Sequence, residues 1–231
     1  DKLDNLAATF LRGLIPTGSQ DPFALRRQTI GAVNILIDGK IHWDIRRGIE
    51  AALALLPGDE ETKKTVLSQI EDFFRQRIKA IMLDEGIAYD IIDAVLAGPV
   101  DDIYALFLKA RSMAESQLKG EAELRQAVTR LANITKGKAG GKVDPSLFTE
   151  DVEKKLQDAF EAVSAKALPL FASYEYGKAL PALKELTAPI NDYLDNVMVM
   201  VDDEAVKNNR ISQLLATLAL FNTWGDFSKL V

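Results

Sequence analysis

The chain of 231 residues is 48% hydrophobic and 27% charged, with a net charge of −6. That length supports a sizeable buried core, and the composition excludes a disordered chain. With no cysteine and one histidine, His42, the chain excludes disulfides, thiolate zinc sites, iron–sulfur clusters, a cysteine nucleophile and any site needing two histidines. No run of about 18 apolar residues offers a transmembrane helix, and no basic leader precedes an apolar stretch at the N-terminus. The opening at Asp1, without Met, predicts a piece of a longer chain.

Apolar residues recur at helical spacing almost throughout and strand signals are nearly absent, which predicts an all-α fold. In chain order, Asp21-Pro22 reads as an N-cap with a proline in the first turn, opening a helix to about Ile37. A helix from about Glu60 to Asp84 carries Val66, Ile70, Phe73, Phe74, Ile78 and Ile81 on one stripe, closed by Gly86. Segments at 89–97 and 101–118 follow, separated by Gly98-Pro99, with a soft boundary near 98–120. Glu121 to Lys136 groups Leu124, Val128, Leu131 and Ile134. A Gly- and Lys-rich linker covers 137–148. Helices are expected at about 149–172, 175–197 and 203–223, with Pro181 and Pro189 bending the second of these. No short-period repeat is evident.

Charge is uneven. Residues 1–118 hold 14 basic and 18 acidic side chains, residues 119–142 hold 6 and 2, and residues 143–231 hold 8 and 14. An acidic chain with one basic segment can still bind nucleic acid locally, because phosphate attraction acts within about a Debye length, about 8–10 Å. Non-specific coating of DNA does not fit this balance. The string Gly137-Lys138-Ala139-Gly140-Gly141-Lys142-Val143 fails the P-loop pattern, since Val143 stands where Ser or Thr must hold magnesium. No GxSxG accompanies His42, so a serine triad has no support. A binding module is the better starting assumption than an enzyme.

Each basic feature has a bland reading beside its functional one. Arg26 and Arg27 point about 100° apart on a helix; one suits an ion pair and the other a phosphate. Arg46-Arg47 reads more simply as an exposed helix face. Arg75 follows Glu71 by four residues, so an intrahelical pair explains it. Gln126, Arg130 and Asn133 share a stripe opposite Leu124, Val128 and Leu131. Lys136, Lys138 and Lys142 extend that polarity into the linker. Arg and Asn suit base edges and lysines suit phosphates, while a solvated face is the commoner explanation. Asn208-Asn209-Arg210 is taken to open the last helix, with Arg210 off its apolar stripe and available to phosphate. Phe160, Phe171, Tyr174, Tyr176 and Trp224 are read as core before base-stacking residues. The sequon Asn133-Ile134-Thr135 is discounted in a helix of a chain without a secretion signal. His42, beside Trp43, reads as a packed or capping histidine. The carboxylates at Asp1, Asp4, Asp90, Asp93, Asp202 and Asp203 form no metal pattern.

Several strings then stand together. Asp1-Lys2-Leu3-Asp4-Asn5-Leu6 precedes Pro16-Thr17-Gly18-Ser19-Gln20-Asp21-Pro22-Phe23-Ala24-Leu25-Arg26-Arg27. Asp84-Glu85-Gly86, Asp93-Ala94-Val95-Leu96-Ala97 and Arg130-Leu131-Ala132-Asn133-Ile134 follow. Val197-Met198-Val199-Met200, Asn209-Arg210-Ile211 and Asp226-Phe227-Ser228-Lys229-Leu230 close the series. In this order they resemble the C-terminal third of the β subunits of bacterial tetrameric glycyl-tRNA synthetases, over essentially the whole chain. The Pro16–Arg27 string is the most specific of them.

The resemblance implies a division into 1–57, the last helices of an HD-like domain; 58–117, a helical connector; and 118–231, a DALR-like anticodon-binding bundle. It implies glycine tRNA as ligand and a separate catalytic α subunit as partner in an α2β2 assembly in the cytoplasm, with no membrane or DNA partner. It leaves this chain non-catalytic and without a cofactor; ATP and magnesium are implied for the α subunit alone. Asp1 stands where the final metal ligand of an HD domain falls, and with His42 the only histidine no metal site is expected here. Arg130, Asn133 and Arg210 match motif positions as tRNA contacts. Lys136, Lys138 and Lys142 rest on local charge, and Arg26 and Arg27 on their helix. Thr129 precedes Arg130 where the family pattern often has Lys, so one basic contact is missing. The rival reading is an all-α scaffold or interaction module without RNA binding, which predicts no contiguous basic face. An HD-type phosphohydrolase is disfavoured by the histidine count.

Overall fold

A computed structural model describes every residue except Ser19, which belongs to the Pro16–Arg27 string and lies outside the described residues. Eleven α-helices and four short 3-10 turns make up the described chain, with no β-strand among the described residues. The chain divides into two compact units: residues 1–92 with 98–110, and residues 93–97 with 111–231.

The first unit is built on α1 (Lys2–Leu11), α2 (Leu25–Asp38), α3 (Ile45–Ala54) and α4 (Glu60–Asp84). Helix α1 packs on the other three, and α4 packs on α2 and α3. Leu6, Phe10, Leu25, Val33, Ile49, Ile70, Phe74 and Ile78 form the core. Phe10 meets Phe73 edge-on, with ring centroids 5.2 Å apart. Helix α4 has the bounds its periodicity predicts. The Asp59 side chain accepts a hydrogen bond from the Thr62 N–H at 2.8 Å to open it, and Gly86, at φ +82°, closes it. Its stripe holds, except that Met82 is buried while Ile81 is only partly covered. Because α4 supplies the core beneath α1–α3, no break falls between residues 57 and 58, where the three-part division places one.

Local differences from expectation have plain causes. Asp21 does cap α2, accepting from the N–H groups of Leu25 (2.8 Å) and Arg26 (3.0 Å). The helix starts later than Pro22, because Ala24 sits in the left-handed region at φ +53° and turns the chain first. Arg46 bridges helices, pairing with Glu50 and, at 2.8 Å, with Glu71 of α4. Arg75 acts with Arg46 on the Glu71 charge, as its i+4 spacing predicts, and also pairs with Asp72 and donates to the Gly98 carbonyl. His42 Nδ1 lies 2.7 Å from Asp102 Oδ2, its ring 4.9 Å from that of Tyr104. Trp43, 44% exposed, lays its indole over Gly48 of α3; a Cβ there would come within 2.2 Å of the ring, so only glycine fits.

Within the second unit, α7 (Ala122–Thr135) packs on α10 (Thr187–Asn196) and α11 (Glu204–Asn222), and α8 (Asp151–Ala172) packs on α9 (Leu180–Lys184), α10 and α11. The helix expected over 175–197 is divided. A 3-10 turn at Tyr176–Ala179 leads into α9 and then α10, because Pro181 and Pro189 each sit in a first turn, where a missing N–H costs nothing. Trp224 is fully buried and donates its indole N–H to Ser112 Oγ at 3.0 Å. Phe171 and Tyr176 are core, as read, while Phe160 is half-buried and Tyr174 is exposed. Residues 209–214 of α11 are buried without interruption, so more than a full turn has no solvent face.

Candidate RNA interface

The polar stripe of α7 faces outward as its spacing predicts. Leu124, Val128 and Leu131 are buried while Gln126 and Asn133 are exposed. Arg130 is turned aside. Its guanidinium donates to Asn191 Oδ1 at 2.9 Å and pairs with Asp195, both on α10. It clamps α7 to α10, although its side chain keeps 41% exposure.

Asn133, Lys136 and Lys138 come together. With Ile134 they line one side of a cleft of about 480 Å³; Leu194, Val197, Met198, Val199 and Met200 line the other. The opposing wall is the segment leaving α10. Val197, at φ −107° and ψ 120°, caps the helix. Burial then alternates along the segment: Val197 and Val199 are buried, and Met198 and Met200 are 74% and 47% exposed. Lys138 Nζ lies 3.8 Å from Met200 Sδ, which ties the two walls. The cleft pairs two ammonium groups and a carboxamide with two exposed thioethers, a combination suited to a ligand with both anionic and flat apolar parts.

Lys142 is separated from these. The Gly-Lys linker is strapped to α11, where Gly141 N–H donates to Ser212 Oγ at 2.8 Å. The Asp144 N–H donates to Asn209 Oδ1 at 2.7 Å, while Asn209 Nδ2 donates back to the Asp144 carbonyl at 2.9 Å. A Cβ on Gly140 would meet Leu215 at 2.9 Å, so glycine permits the close approach. Lys142, exposed, lines a second cleft of about 410 Å³ with Asp144, Asn208 and Asn209. Hydrogen bonds from Ser146 hold the Asp144 carboxyl below its usual range, so an anion faces that cleft too.

The expectation that Arg210 is open to phosphate is corrected by its burial. The residue is 4% exposed, and it lies in the second turn of α11, whose N-cap is Asp203. Its Nε donates to Glu153 Oε1 at 3.0 Å, its Nη2 to Thr149 Oγ1 at 2.6 Å, and its Nη1 to the Met198 carbonyl at 2.8 Å. Glu153, 0% exposed, also accepts from the Thr149 and Glu150 N–H groups. Burial pushes the Glu153 carboxyl up, but the Arg210 guanidinium and the two N–H groups outweigh it and hold the group below its ordinary value. The bond to Glu153 raises Arg210 further. Asn209 is likewise occupied by the linker.

Arg26 and Arg27 belong to the first unit. Arg26 donates to the Gly18 carbonyl at 2.6 Å and so closes its own loop. Arg27 is exposed on α2. No group of three or more His, Cys, Asp or Glu side chains among the described residues is placed to hold a metal ion. Among the described residues no helix is long and apolar enough to cross a membrane. Sequence reasoning missed Met198 and Met200 as cleft residues. No sequence signal marked them, because Val197-Met198-Val199-Met200 is apolar throughout.

Comparison with known proteins accounts for both units. Residues 1–97 match the family described as glycyl-tRNA synthetase beta subunit, and residues 124–225 match the DALR anticodon binding domain. The glycine–tRNA ligase beta subunit of Clostridioides difficile (strain 630) is 38% identical over 232 residues, covering 100% of this chain and 34% of that protein. That of Desulforudis audaxviator (strain MP104C) is 37% identical, covering 99% and 34%, and that of Bacillus subtilis (strain 168) is 36% identical, covering 100% and 33%. The chain spans about a third of the length of the curated relatives it matches. With the residues that line the cleft inside the anticodon-binding match and most of the first unit inside the beta-subunit match, the chain belongs to the glycyl-tRNA synthetase beta-subunit family, as a C-terminal part of that subunit.

Proposed function

We propose that the second unit binds the anticodon arm of glycine tRNA and so orients it for aminoacylation by a glycine–tRNA ligase. One observation carries this reading: Asn133, Lys136 and Lys138 converge on a single cleft inside the residues that match an anticodon-binding domain. Loop bases, unlike those in the deep groove of an A-form stem, can be splayed out and read along their edges. The lysines neutralise phosphate and the Asn133 carboxamide offers one donor and one acceptor to a base. The chain makes and breaks no bond. Glycine activation, with its ATP and magnesium, belongs to a separate α subunit, with which the whole β subunit forms an α2β2 assembly in the cytoplasm.

Arg130, Arg210 and Arg26 act within the fold under this reading, and Arg27 and Lys142 stand apart from the cleft. The basic surface is therefore small, and affinity rests on few phosphates. Titrating the chain with glycine tRNA at two salt concentrations tests this. Lys136→Ala is expected to weaken binding and to flatten the dependence of log K on log salt by about 0.7–1, the share of one phosphate contact. Binding that is absent at low salt, or unchanged in Lys136→Ala and Lys138→Ala, overturns the reading in favour of a scaffold without an RNA role.

A further inference from the structure

We propose that the segment 197–200, which links α10 to α11, is the base-receiving wall of the cleft: one unstacked nucleobase rests on the Met198 and Met200 thioethers while Lys136 and Lys138 hold its flanking phosphates. This deepens the function proposed above and rests on it.

Three observations converge. First, Met198 and Met200 are the outward members of an alternating segment whose inward members, Val197 and Val199, are buried. A long flexible apolar side chain that is 74% exposed beside two ammonium groups has no packing purpose within the unit. Second, the wall is fixed before any ligand arrives. The Arg210 guanidinium, itself locked to buried Glu153, donates to the Met198 carbonyl at 2.8 Å. The Val197 N–H is held by the Tyr193 carbonyl at 2.8 Å. Pre-ordered backbone lowers the cost of binding. Third, the charge is complementary to one nucleotide. The cleft is cationic on the Lys136–Lys138 side and apolar on the methionine side, and exposed Asn133 also lines it. Sulfur packs favourably on aromatic rings, and its side chain adapts to rings of different size. The stacking face tolerates any base, and the Asn133 edge carries the discrimination.

The test is a double-mutant cycle between the chain and its RNA. Met198→Ala and Met200→Ala are titrated with glycine tRNA and with three versions, each lacking one anticodon base. Both side chains are exposed, so truncation leaves the core intact, and unchanged helicity by circular dichroism checks this. Each substitution is expected to weaken binding of the intact tRNA about two- to tenfold, the range of a sulfur–aromatic contact. That loss is expected to vanish with one particular abasic tRNA and to persist with the other two. Losses that persist with all three, or no loss with intact tRNA, overturn the proposal. Lys136→Ala and Lys138→Ala separate the two levels. If they weaken binding and the methionine variants do not, the base-receiving wall alone is wrong. If the parent chain binds no tRNA, the function proposed above falls with it.

Discussion

Both units carry ion pairs at the surface, and the second adds one in its interior. In the first unit, ion pairs lie at the surface: Arg46 with Glu50 and Glu71, Arg47 with Asp44, Arg75 with Asp72. In the second, Glu153 and Arg210 pair inside the bundle, together with buried Asn209, Ser212, Gln213 and Thr217 of the same helix. The surface pairs are mostly short in sequence and worth little each, because water screens them. The interior pair joins residues 57 apart and cannot be broken cheaply, because each charge left alone would be stranded without water. The lesson concerns arginine. Its chemistry is the same at Arg46 and at Arg210, and only the enclosure differs.

That contrast can be broken by experiment. The largest effect is expected at the interior pair. Glu153→Ala should cost the second unit about 3–5 kcal/mol in urea unfolding, since it strands a buried guanidinium. Replacing Glu153 and Arg210 together by apolar residues of similar volume should cost far less. Acid comes next, with opposite signs in the two units. The Glu153 carboxyl sits below its ordinary value of 4.5, so its contribution is full above that pH and is lost as pH falls through the folded value. Burial pushes Glu71 up against the opposing pull of Arg46, so its contribution is full below 4.5 and fades as pH rises through the folded value. Unfolding between pH 3 and 6 is therefore expected to show acid loosening of the second unit, with a smaller slope in Glu153→Gln. The smallest effect belongs to Arg46→Ala, about 1 kcal/mol or less by thermal unfolding, because Arg46 keeps 45% exposure and water screens it, although Glu71 keeps 15%. A loss as large as that of Glu153→Ala would erase the distinction between the units.

Helices were legible wherever one face is apolar and the ends carry their own caps. Helix α4 has the bounds its periodicity and Gly86 predict. Helix α11 was legible as a helix but not in its burial. Five of its polar residues are interior, and periodicity assigns polar residues to solvent. Arg210 was misplaced for that reason, and because no carboxylate lies three or four residues away to announce a partner; Glu153 is on another helix. Arg130 has the same history, with Asp195 far along the chain. In the cleft, Lys136 and Lys138 were singled out by a local excess of positive charge, and Asn133 by its polar stripe and motif position. Lys142 was grouped with them by proximity in sequence, which the strapping of the linker to α11 undoes. The methionine wall was not legible, because a stretch of four residues between helices has too few positions to display a period.

Each unit contains one of the two tryptophans. Trp43 lies over Gly48 with 44% of its surface in solvent, and Trp224 is sealed against Phe227 and Ser112. The pair is a built-in optical label. Emission from Trp43 should be red-shifted and open to iodide quenching, whereas that from Trp224 should be blue and protected. A Trp43→Phe chain would thus report the loss of the second unit alone, and a Trp224→Phe chain that of the first. The order in which the two units come apart can be read in a cuvette, with no dye attached.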